Sequence, residues 1–180
     1  YVGQEDNQLI STYSQRIKKV VDEVLDATGK NKVIIIAHSM GGLVSREYIK
    51  NYGGINKVDK LIVIGTPNHG IWDDGWNFGC DWVHPGPECA DMQYDSTFIA
   101  YLNADDETLG DINYLTIAGK CQYNGEDYDD EVVRVNSVRL QGAINIVEEG
   151  SCVAGPGTYH SDLINPSKVI DVYNRVVNFI

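Results

Sequence analysis

Apolar positions near the start of the chain recur every three to four residues: Leu9, Ile10, Tyr13, Ile17, Val20, Val21, Val24 and Leu25. That period predicts an amphipathic helix, and Gly29 offers the residue that most readily ends one. The pattern then changes to Lys32-Val33-Ile34-Ile35-Ile36-Ala37, a short run apolar on both faces. Such a run predicts a buried parallel strand. A polar turn follows, and helical spacing returns from Leu43 to about Tyr52. Lys60–Gly65 predicts a second buried strand, Ile112–Ala118 a third, and Ala143–Val147 a short fourth. Val169, Ile170, Val172, Tyr173, Val176, Val177 and Ile180 close the chain as an amphipathic helix. Alternating strands and helices imply an α/β fold, a mostly parallel sheet with helices on both faces.

Two features disturb this rhythm. From Gly70 to about Asp111 the chain holds Trp72, Trp76, Trp82, two prolines and two cysteines, with no clear strand. So long an irregular stretch in a compact domain is usually functional, so residues 70–111 are expected to form a lid-like insertion. The second feature concerns the strand Val33–Ile36. A right-handed winding puts every later strand on one side of it, and folded proteins avoid a bare apolar edge. Further N-terminal strands, from an upstream segment or a second chain, are therefore expected to pair there.

The 180 residues fit one domain with a sizeable core. A net charge of −12 argues against binding nucleic acid or anionic lipid through a basic surface. No apolar run reaches the ~20 residues needed to span a bilayer. Cys80, Cys89, Cys121 and Cys152 lie in loop-like sequence without a C-x-x-C pair. An even number of loop cysteines favours disulfides over a zinc site, with Cys80–Cys89 and Cys121–Cys152 the expected pairs. Disulfides in turn imply an oxidising compartment, hence a secreted or extracellular protein.

The chemistry centres on Ala37-His38-Ser39-Met40-Gly41-Gly42, between the first strand and the next helix. Strand, sharp turn with one serine, and helix together make a nucleophile elbow of the α/β-hydrolase type, with alanine replacing the first glycine. Ala37 and Gly41 are the small residues expected to let strand and helix cross. Ser39 is the candidate nucleophile, and the Met40 amide is the candidate oxyanion donor. The serine needs a histidine base, which in this arrangement comes last in the chain after an acid. Of His38, His69, His84 and His160, only His160 follows all the strands. The acid lies among Glu126, Asp127, Asp129, Asp130 and Glu131, a cluster that could also be a solvated loop or a weak calcium site.

The chain resembles the bacterial and archaeal class 2 lipases, whose core is shared with the small Bacillus lipases. The resemblance rests on the elbow, on Gly65-Thr66-Pro67-Asn68-His69-Gly70, on Ser96-Thr97-Phe98-Ile99 with Leu102-Asn103, and on Asp106–Tyr114. Asp130-Glu131-Val132-Val133, Ser137, Leu140, Gly142, Ala143 and Asn145 complete it. The resemblance implies that Asp130, directly before x-Val-Val, is the acid. It further implies a serine carboxylester hydrolase of lipase or esterase type, acting on an ester or lipid without a cofactor. His38, Thr66, His69 and Trp72 are the candidates for contact with substrate. The family's His-Gly loop, which gives the second oxyanion donor, has no counterpart before Ser39. A thioesterase, amidase or acyltransferase would use the same three residues, and a non-catalytic binding module would keep them only as relics.

Overall fold

The computed structural model describes residues 8–72, 86–123, 126–151 and 159–180. Helix α1 (Ile10–Thr28) ends where Gly29 turns left-handed at φ 64° and donates its N–H to the Leu25 carbonyl. Strand β1 (Val33–His38) leads through Ser39 into helix α2 (Met40–Asn51), and strand β2 (Val58–Ile64) follows. Two short helices come next, α3 (Pro87–Met92) and α4 (Thr97–Leu102). Then come strands β3 (Asn113–Tyr123) and β4 (Glu126–Asp129), helix α5 (Val135–Val138), strand β5 (Ile144–Ser151) and helix α6 (Ile170–Phe179).

Strands β1, β2, β3 and β5 form a parallel sheet in that order, while β4 folds back antiparallel onto the far end of β3. The apolar β-branched runs are what make β1 and β2 strands, because such side chains pack well on a pleated surface. Helices cover both faces. Leu61, Val63 and Tyr114 meet Val21 of α1 and Tyr48 and Ile49 of α2, whereas Ile62, Ile64, Leu115 and Ile117 meet Val172 and Val176 of α6.

The structure bears on three expectations. Within the stretch expected to form an insertion, Met92, Ile99 and Leu102 pack with Ile10, Tyr13, Leu43 and Val44 in one buried cluster. The short apolar spacing within α3 and α4 is too brief to read as helical periodicity, yet it suffices to bury one side of each. Residues 73–85, including Trp76 and Trp82, lie outside the described residues. The third strand runs five residues beyond Ala118, to Tyr123, because β4 gives its polar end a ladder partner. Third, β1 carries β2 as its one strand partner among the described residues, and Ile34 and Ile36 are 40% and 51% exposed. Helix α1 packs along α2.

Candidate active site

The elbow forms because β1 and α2 meet at one residue that turns the chain sharply. Ser39 sits at φ 53°, ψ −132°, a strained backbone for a residue with a Cβ. The strain is held by its surroundings. The Ser39 N–H donates to the Ile64 carbonyl at 2.9 Å, and the Thr66 hydroxyl donates to the Ser39 carbonyl at 2.8 Å. The tightest approach falls one residue later than expected. A methyl group at Gly41 would stand an ordinary 3.7 Å from the Ala37 Cβ, but at Gly42 it would collide with the Thr66 side chain. Met40 is the first residue of α2, so its amide has no partner within the helix and lies at the positive end of the helix dipole.

Asp130 directly follows β4 and is fully buried. Its Oδ1 accepts the amides of Val132 and Val133 at 3.0 and 2.6 Å. That turn requires Glu131 to adopt φ 75°. The Asp130 Oδ2 accepts the Nδ1–H of His160 at 2.9 Å. A second link runs along the main chain, where the His160 N–H donates to the Asp130 carbonyl at 2.9 Å. With Nδ1 donating to a carboxylate, the neutral imidazole keeps its lone pair on Nε2.

Gly65, at the end of β2, brings this pair to the elbow. A methyl group built on its Cα would stand 3.2 Å from Asp130 Oδ2 and from both His160 Nδ1 and Cε1. On the other side, His38 Nε2 donates to the His160 carbonyl at 2.8 Å. Ser39 is thus flanked in sequence by His38 and in space by Ile64, whose next residue touches the same imidazole.

The other candidate residues fall elsewhere. Thr66 is fully buried and committed to the elbow backbone, so it braces Ser39 and offers substrate no surface. His69 is also engaged, its Nε2 2.8 Å from Glu107 Oε1 and its Nδ1 3.3 Å from the Ser137 carbonyl. Trp72 stacks on Tyr94 at 5.2 Å, with the Arg134 guanidinium 5.2 Å from its ring. Asp129 accepts the Val135 amide at 2.8 Å and so pins the start of α5. No group of three or more His, Cys, Asp or Glu side chains among the described residues could hold a metal ion. Cys89 and Cys121 are disulfide-bonded, and Cys80 and Cys152 lie outside the described residues.

A buried polar network that no sequence motif announces centres on α2. Arg46 of α2 is almost fully buried, and burial pushes its guanidinium down to about 10. It donates to Asn68 Oδ1 at 3.3 Å and to Asn103 Oδ1 at 2.8 Å, while the Asn68 amide donates to the Val138 carbonyl at 2.6 Å. The network ties Asn68, and hence the loop after Gly65, to α2, α4 and α5. A buried charge persists only where it is fully partnered.

Comparison with other proteins decides the family. All 180 residues match a family described as an alpha/beta hydrolase of unknown function (DUF915). The chain belongs to that alpha/beta hydrolase family. Among solved structures it is similar to the Bacillus licheniformis lipase BlEst2 in its mature form, at 17% identity and TM-score 0.73, over 95% of this chain and 75% of that one. It is similar to the gene lin2722 product of Listeria innocua at 19% identity and TM-score 0.64, over 94% of this chain and 67% of that one. A third likeness is to the phospholipase PlaB from Legionella pneumophila, at 17% identity and TM-score 0.66, over 99% of this chain and 53% of that one. At such identities these likenesses speak for the α/β-hydrolase fold alone.

Proposed function

We propose that this alpha/beta hydrolase is a serine carboxylester hydrolase of the lipase or esterase type. Ser39 Oγ attacks the ester carbonyl and passes its proton to His160 Nε2. The Met40 amide stabilises the oxyanion, and the imidazolium returns the proton to the departing alcohol, leaving an acyl-enzyme. Water repeats the cycle and frees the acid. Asp130 fixes the tautomer and orientation of His160 and stabilises its charged form. The observation that carries the reading is the 2.9 Å Asp130–His160 bond held against the elbow by Gly65.

With this reading go two disulfides, Cys80–Cys89 and Cys121–Cys152, and a secreted protein. The second bond would link the end of β3 to the segment that leads to His160. An ester or lipid substrate fits both the chemistry and the names of the lipase and the phospholipase to which the chain is similar. The reading is tested on the full-length protein with p-nitrophenyl esters of increasing chain length. Hydrolysis is expected, with Ser39→Ala and His160→Ala each lowering kcat by roughly a millionfold and the double variant little worse. Wild-type turnover in His160→Ala would remove it from the mechanism.

A further inference from the structure

We propose that His38 is a positioning residue for His160: its ring clamps the main chain of His160 and so sets the imidazole relative to Ser39. This rests on the reading of His160 as the base. A carbonyl oxygen only accepts, so the 2.8 Å contact between His38 Nε2 and the His160 carbonyl requires Nε2 to carry a proton. The tautomer of His38 is thereby fixed.

The clamp completes a three-point hold. Asp130 takes the Nδ1–H of His160 with its carboxylate and the His160 N–H with its carbonyl, at 2.9 Å each. Both bonds tie His160 to the segment after β4. Neither ties it to the residue it must serve. The His38 bond does, because His38 is the last residue of β1 and the neighbour of Ser39. Serine and base then share one rigid strand as their reference. Misplacing a reacting group by about 1 Å can cost roughly a hundredfold in rate.

The second part of the role is electrostatic. The two imidazole rings lie 4.6 Å apart, centre to centre, tilted by 42°. During turnover His160 takes up a proton and becomes a cation beside His38. A neutral His38 tolerates that charge, whereas a protonated one opposes it. Burial first, then the neighbouring His160, hold His38 below its ordinary range, although Asp130 and its own hydrogen bond pull the other way. His38 therefore supports the base without competing for its proton, and its committed Nε2 is not a substrate contact.

The test compares three variants of the full-length protein on p-nitrophenyl butyrate. His38→Phe keeps a ring but loses the donor. His38→Gln places an amide N–H near the position of Nε2. His38→Asn reaches only as far as Nδ1. Loss of the clamp should lower kcat about tenfold in His38→Phe and His38→Asn with KM nearly unchanged, equivalent to about 1.4 kcal/mol in the barrier. His38→Gln should recover most of that loss. Wild-type kcat in His38→Phe, a raised KM at unchanged kcat, or equal losses in Gln and Asn would each overturn the proposal. If His38→Phe does not fold, the Gln-against-Asn comparison decides alone. Failure of the underlying reading is distinguishable, because activity would then survive His160→Ala.

Discussion

Gly65 lies so close to His160 that any side chain at this position would press on the ring. A methyl group there would sit 3.2 Å from Nδ1, closer than carbon normally approaches, and as close to the Asp130 carboxylate that holds it. The glycine also adopts φ 56°, as Gly29 does at φ 64° with nothing within 4 Å of its missing Cβ. The two positions separate strain from contact.

Both Gly65→Ala and Gly29→Ala should cost about 1–2 kcal/mol from left-handed backbone strain, lowering Tm by about 2–4 °C per kcal/mol. Only Gly65→Ala should also lose ester hydrolysis at temperatures where both variants are folded. Equal activity in the two variants would separate Gly65 from the site. Thermal melts and kcat on the same preparations check this.

Asp130→Asn should fold but lose up to about 10⁴ in kcat, because an amide in that place favours the wrong tautomer of the base. Asp129→Asn should be far milder, since among the described residues that carboxylate accepts the Val135 amide and does not touch His160. Steady-state kinetics on the two variants check this, and the reverse ranking would move the acid by one position.

Glu131→Gly should stabilise the protein by up to about 1 kcal/mol, the left-handed strain relieved less the entropy that glycine adds to the unfolded chain. Partial burial, then Asp130 and Asp162, draw the Glu131 carboxyl above the ordinary carboxylate range. Removing it also takes a like charge from beside Asp130. Chemical denaturation at neutral pH reads the gain, and kcat should not fall.

Because the folded-state pKa of His38 lies below its ordinary value, the unfolded chain binds the proton first as pH falls. Its contribution is then fully present above pH of about 6.5 and is lost as pH falls from there through the folded-state value. Urea midpoints measured from pH 7.5 to 5 should therefore decline in the wild type. The decline should be shallower in His38→Gln, which carries no titrating group at that position.

The elbow was legible because its signal is local: β-branched strand, tight turn and helix follow one another within a few residues. Asp130 and His160 were legible through chain order and the family's motifs, though only the fold shows the Gly65 contact that brings them to Ser39. Strand β4 escaped because Glu126-Asp127-Tyr128-Asp129 reads as a solvated loop, and its strand state comes from pairing with β3. The Arg46 network escaped for a related reason. An arginine in a helix reads as surface, and only the meeting of Asn68 and Asn103 makes its burial tolerable. The available signal is that Asn68 and Asn103 stand in Gly65–Gly70 and Leu102-Asn103, two of the motifs that carry the family resemblance. The small residue needed at Gly42 rather than Gly41 depends on where Thr66 lands, which no local pattern specifies.

The central claim is that Ser39 is an activated nucleophile, and covalent labelling addresses it most directly. The full-length protein is treated with a fluorophosphonate and its adduct mapped by peptide mass spectrometry. The account predicts one adduct per chain, on the peptide carrying Ser39, formed far more slowly in His160→Ala and absent in Ser39→Ala. A folded protein that takes no label, or takes it on another serine while Ser39 stays unmodified, would contradict it.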